Sequence, residues 1–311
     1  VIFCVLVPVC ATLFPARSRA SQVNIPPDAQ IVLDTIYAGH ADAATALARA
    51  FEQAHPQNPL GYLLEGEALW WERYCAACEI KWDMIEAWRH EKLPEDAAYF
   101  VLVDKAIALA EAQLAHSETA ELHFLAGMGY ALKVRVYGLR NENRLAARAA
   151  VAARAHMLRA LELDPQMADA TGALGLYNYY VDTLSPIVRI LRFFMGIPGG
   201  DKEKGVEQMQ VGMNQGTLLA VDLRFILARA LRQYDRKYEQ ALTVALPLTE
   251  RYPSNPLFLL LAGNLNAELA RNSEAENYVR AALELGGGSA CLTHSHAIAA
   301  SFLADKRHNP Q

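Results

Sequence analysis

Apolar positions in this chain recur at spacings of three and four, the signature of helices with one buried face. The segment 221–256 shows the pattern most plainly. Phe225, Ala228, Arg229 and Arg232 fall on a first predicted helix, Tyr234–Arg236 form a polar break, and Tyr238, Ala241, Leu242, Ala245 and Leu248 make the stripe of a second. Tyr252-Pro253-Ser254-Asn255-Pro256 ends that helix, because proline cannot continue one. A shift of 34 residues repeats the unit: Phe225 becomes Leu259, Ala228 becomes Ala262, Arg229 becomes Gly263, Ala241 becomes Ala275, Ala245 becomes Val279 and Leu248 becomes Ala282. Upstream, Met157, Ala160 and Pro165 match Ala245, Leu248 and Pro253, while Leu174, Gly175 and Asn178 match Ala262, Gly263 and Asn266. Near the start, Ala44, Leu47, Ala50 and Phe51 precede HPQNPL, an echo of YPSNPL. A weaker unit spans 118–133 around Ala126-Gly127.

Composition supports helices throughout. Alanine and leucine supply much of the 53% hydrophobic content, and both are strong helix formers. With charged residues at 20%, the chain is too apolar to be intrinsically disordered. The expected fold class is all-α.

The 34-residue period, the small residues at predicted helix crossings and the closing prolines resemble the tetratricopeptide-repeat (TPR) family. That resemblance implies an α-solenoid of antiparallel helix hairpins, a TPR-like superhelix in which stacked units share one core. It also implies that the first helix of each pair lines a concave face, placing Tyr179, Gln233 and Asn264 there to hold a peptide. Residues 178–209, NYYVDTLSPIVRILRFFMGIPGGDKEKGVEQM, are similar to inclusion-body-clearance-type relatives and to exported bacterial members. They are more distantly similar to the T component of tripartite substrate-binding transporters, which is periplasmic.

The ends depart from the repeat. Val1–Phe14 is apolar apart from Pro8 and Thr12, and Ser18 and Ala20 are the small pair expected before a cleavage site. Residues 1–20 are therefore expected to be a signal peptide cut after Ala20, with export to the periplasm or cell envelope. No other apolar run is long enough to span a bilayer. The solenoid is expected over 21–288, with an insertion at 67–117 and a non-repeat hairpin at 181–216, and 289–311 is a C-terminal tail or capping segment. Cys75 and Cys78 can pair in an oxidising compartment or remain buried thiols, with Cys291 left over.

Four candidate features remain. Trp70, Trp71, Trp82 and Trp88 cluster within nineteen residues and form either an aromatic ligand surface or ordinary packing. Residues 62–104 carry a net charge of −6 and residues 133–159 a net charge of +6. Arg140, Arg144 and Arg148 share a helix face by spacing, as a stripe for an anionic partner or as partners of the acidic block. No catalytic spacing, metal site or cofactor motif is present, and His294, His296 and Cys291 are too few ligands for one. The net charge of −5 speaks against nucleic acid. Three functions compete: a non-enzymatic scaffold binding another protein or peptide in the bacterial envelope, a transporter-associated accessory binding a small hydrophobic or carboxylate ligand, and an enzyme, which no residue constellation supports. An open polar groove favours the first and a closed apolar pocket among the tryptophans favours the second.

Overall fold

A computed structural model describes residues 22–81, 84–87, 91–183 and 197–308, with side chains left aside at 76–87 and 305–308. Among these residues the chain is almost wholly helical. The helices are α1 (Pro27–Tyr37), α2 (Ala41–Ala54), α3 (Pro59–Ala77), α4 (Pro94–Leu114), α5 (Ala120–Leu139), α6 (Asn143–Leu163), α7 (Ala168–Thr183), α8 (Lys202–Gln215), α9 (Ala220–Gln233), α10 (Tyr238–Arg251), α11 (Pro256–Glu268), α12 (Asn272–Glu284) and α13 (Ala290–His308). A two-stranded antiparallel hairpin, β1 (Cys78–Lys81) and β2 (Met84–Ala87), interrupts them, with Ile80 opposite Ile85.

Each helix packs on its chain neighbour, α3 on α4, α4 on α5 and so on through α12 on α13. The repeated sequence features have local causes. In YPSNPL the Asn255 side chain accepts hydrogen bonds from the amides of Leu257 and Phe258, and Pro256 sits where a missing N–H costs nothing. In HPQNPL, Asn58 does the same for the amide of Leu60. The turns inside two hairpins place Arg236 and Ala270, 34 residues apart, at φ of 51° and 57°. Asp201 starts α8 by accepting from the amide of Lys204.

The tightest helix pair is α7 with α8. A Cβ on Gly172 would lie 2.9 Å from Gly212 Cα and 2.4 Å from Leu223 Cδ1, so only glycine lets these two backbones meet.

Early and late helices of the described chain meet. The Tyr252 hydroxyl donates to Asp34 at 2.9 Å, Ser254 Oγ to the carbonyl of Ala38 at 2.8 Å, and Asn255 Nδ2 to the carbonyl of Tyr37 at 2.9 Å. These bonds seat α1 against the α10–α11 turn. A disulfide joins Cys75 of α3 to Cys291 of α13. The expected Cys75–Cys78 pairing is thereby corrected: α13 packs on α3 and brings Cys291 to Cys75, while Cys78 begins β1. Residues 290–308 are a helix that packs on α3, α11 and α12 and buries Leu292, Ser295, Ala299 and Phe302.

Candidate functional site

A half-open chamber of about 330 Å³ lies between the helices. Five helices line it. Helix α3 contributes Trp70, Trp71 and Tyr74; α5 contributes Met128 and Arg135; α6 contributes Arg154 and Met157; α7 contributes Tyr177 and Tyr180; α9, with the residue before it, contributes Leu219, Asp222, Phe225 and Arg229. The volume falls in the range of small-molecule sites, roughly 300–1,000 Å³.

The chamber has an aromatic wall and a polar end. Trp71 is buried, with its ring 5.1 Å from Phe225 and 5.8 Å edge-on to both Tyr37 and Phe258. Its indole N–H donates to Asp222 at 3.1 Å. Arg135 closes the polar end, donating to Glu67 at 2.7 Å and to Asp222 at 2.9 Å. All three charged groups are sequestered: Glu67 and Asp222 are buried, and the Arg135 side chain is 15% exposed. Burial pushes the Glu67 carboxyl up to about 8, with the Asp222 charge adding to the rise and Arg135 opposing it. The protonated form of Glu67 therefore coexists with an Arg135–Asp222 ion pair, and the triad carries little net charge near neutrality.

Two further arginines face the chamber. The Arg229 guanidinium lies 5.0 Å from the Tyr74 ring centre and 5.6 Å from that of Phe225. Arg154 lies 5.4 Å over Tyr177, and its buried Nε has no hydrogen-bond partner. Among the described residues Arg154 meets no carboxylate. Such a cation on an apolar wall favours an anion from outside the chain.

The structure sorts the sequence candidates unevenly. Trp70 and Trp71 reach the chamber, whereas Trp82 and Trp88 lie outside the residues whose side chains are described. Tyr179 and Asn264 are corrected: they are 0% and 3% exposed, so neither presents a surface to a peptide. The Tyr179 hydroxyl donates to the carbonyl of Ala230 at 3.2 Å, tying α7 to α9. Gln233 is half-buried at the end of α9.

The arginine stripe is corrected as well. Arg144 and Arg148 are exposed, but Arg140 is buried and donates twice to Asp96, at 2.6 and 3.0 Å. Burial works to raise the Asp96 carboxyl, yet hydrogen bonds from Arg140 and from the amide of Leu93 hold it below its ordinary value. Arg159 pairs with Glu118 and Glu162 outside the acidic block, whereas Lys133 with Asp104 and Arg135 with Glu67 likewise join the basic block to the acidic one. That pairing was the alternative reading of the charge asymmetry. Arg154, Tyr177, Asp222 and Phe225 are chamber residues that sequence reasoning did not single out as a site. Among the described residues no group of three or more His, Cys, Asp or Glu side chains is placed to hold a metal ion.

No family model matches this chain, and no curated protein sequence is similar to it.

Proposed function

We propose that this protein is a non-enzymatic binder of a small amphipathic acid, an apolar body carrying one anionic group, held inside a TPR-like solenoid closed on itself. The observation that carries the reading is the half-open chamber whose walls are aromatic and aliphatic but for the Arg135–Asp222 pair, Arg229 and Arg154 with its unpartnered Nε. The body would lie against Trp70, Trp71 and Met157, with its anion at Arg154. The 34-residue recurrence of Arg236 and Ala270 in the left-handed region supports the solenoid reading. Export after removal of a leader is supported by the Cys75–Cys291 disulfide, since such bonds persist in oxidising compartments. A role beside an envelope transporter fits a binder of this kind. The protein-scaffold reading loses two of the three positions of its peptide groove, Tyr179 and Asn264, to burial.

Calorimetric titration with decanoate and with decan-1-ol tests the proposal. Decanoate binds one to one and outcompetes the alcohol by about tenfold or more, the worth of one charge-assisted hydrogen bond. Arg154→Gln removes that preference, and Ala131→Phe, which fills the chamber, removes binding of both. Absence of saturable binding by either compound overturns the reading.

A further inference from the structure

Helices α5 and α6, which supply one wall of the chamber, also bring two histidines into mutual contact outside its lining. His123 Nδ1 lies 3.0 Å from His156 Nδ1, with ring centres 5.2 Å apart. At that separation one hydrogen sits between the two nitrogens, so one ring must present a lone pair. The outer nitrogens differ. His123 Nε2 is 3.0 Å from Glu118, which Arg159 also binds at 2.8 and 2.9 Å. His156 Nε2 is 4.0 Å from Glu111 of α4, whose carboxylate already accepts the Tyr130 hydroxyl at 3.0 Å. The Tyr130 ring stacks on His156 at 5.6 Å. Nearby, Asp104 of α4 is tied to Lys133 at 2.6 Å, and Arg159 also reaches Glu162 of α6 at 2.8 Å.

A first proton is accommodated. His123 then donates through Nε2 to Glu118 and through Nδ1 to a neutral His156. A second proton is not, because both Nδ1 atoms would carry hydrogens aimed at each other across 3.0 Å. Burial, and then the charge on His123, hold His156 below its ordinary value of 6.5.

The pair stands at the tightest point between these helices. A Cβ on Gly127 would lie 2.8 Å from Met157 Cε, 3.2 Å from His156 Cβ and 3.3 Å from the carbonyl of Ala153. Ala153, Met157 and Met128 line the chamber. A movement of the helices that separates the two imidazoles therefore moves chamber wall.

We propose that His123 and His156 form a proton-operated release in this wall: a second proton on the pair parts α5 from α6 at Gly127 and lowers the affinity of the chamber for its ligand. The proposal rests on the ligand-binding reading above and specifies its regulation.

The probe is 8-anilinonaphthalene-1-sulfonate, an apolar anion whose sulfonate does not titrate between pH 7.5 and 5. The wild type should lose about tenfold in affinity over that interval, the loss produced when the competent form falls to one tenth of the population. His156→Gln and His123→Gln should each hold affinity within about twofold, since neither can form the doubly charged pair. Wild type and both variants sharing one pH profile would overturn the proposal. Imidazole nitrogen spectra of the wild type supply an independent reading without ligand. Two separated steps, the later one moving the methyl shifts of Met128 and Met157, support it; two independent titrations near 6.5 that leave those methyls still overturn it. Failure of the sulfonate to bind at pH 7.5 sinks the ligand reading alone, and the spectra then decide the switch.

Discussion

Replacing Arg135 with methionine isolates the energetics of the chamber's polar end. The change removes a guanidinium that donates to Glu67 at 2.7 Å and to Asp222 at 2.9 Å, both of them buried. It leaves two carboxyl groups facing each other with one indole N–H, from Trp71, as the remaining donor to Asp222. Breaking a buried pair by removing one partner costs about 3–5 kcal/mol, because the other charge is stranded. For a chain of this size that lowers the melting temperature by about 5–10 °C. The loss depends on pH in a definite sense. A carboxyl whose folded pKa is raised contributes stability below its unfolded value and loses it as pH rises through the folded value. Glu67 is already raised to about 8 with Arg135 in place, and removing the cation raises it further. The Glu67 share of the Arg135→Met deficit should therefore be absent at about pH 5 and appear only above about pH 8, where the wild-type carboxyl ionises and the variant's does not. Thermal unfolding followed by circular dichroism at about pH 5 and about pH 9.5 measures it. Adding Glu67→Gln and Asp222→Asn to Arg135→Met should recover most of the loss at the higher pH. A deficit that is absent at the higher pH, or equal at both pH values, would refute the buried-triad reasoning.

Three other outcomes follow from the same structure. Peptide mapping under non-reducing conditions should recover a Cys75–Cys291 cross-link and an alkylatable Cys78, and Cys291→Ser should lower stability to denaturant by up to about 5 kcal/mol, the chain-entropy limit for so long a loop. Gly212→Val should cost about 1–3 kcal/mol or prevent folding, since a Cβ there lies 2.7 Å from Gly172 Cα; an unchanged denaturation midpoint would mean α7 and α8 are further apart than described. Burial also raises Glu52 to about 8, with a hydrogen bond and repulsion from Glu65 adding to the rise. Wild-type stability should accordingly fall as pH climbs from about 4.5 toward about 8, and Glu52→Gln should flatten part of that slope.

The hairpins from α9 to α12 were legible because their determinants are local. Pro256 and Asn255 mark a helix start, and apolar stripes at three and four mark a buried face. A stripe says that a face is covered, but not by what. The contacts that bring distant helices together join residues far apart in the chain: Trp71 with Asp222, Cys75 with Cys291, Asn255 with Tyr37. None leaves a spacing to read. Arg140 shows the same limit from the other side. Its spacing from Arg144 and Arg148 suggested one exposed row, yet it lies next to the end of α5, where its side chain is drawn inward to Asp96. The tryptophans stood out by number alone, and two of them do line the chamber. Arg154 did not stand out among seven basic residues, because what distinguishes it is a buried Nε without a hydrogen-bond partner on the chamber wall.

The central claim is that a ligand body lies inside the helices against Trp70 and Trp71. Titration with 10-bromodecanoate tests it directly, since bromine quenches tryptophan fluorescence only at contact. The account predicts saturable quenching at one equivalent, abolished in a Trp70→Phe, Trp71→Phe variant that still binds decanoate. Quenching that rises linearly without saturation, or persists in that variant, would contradict it.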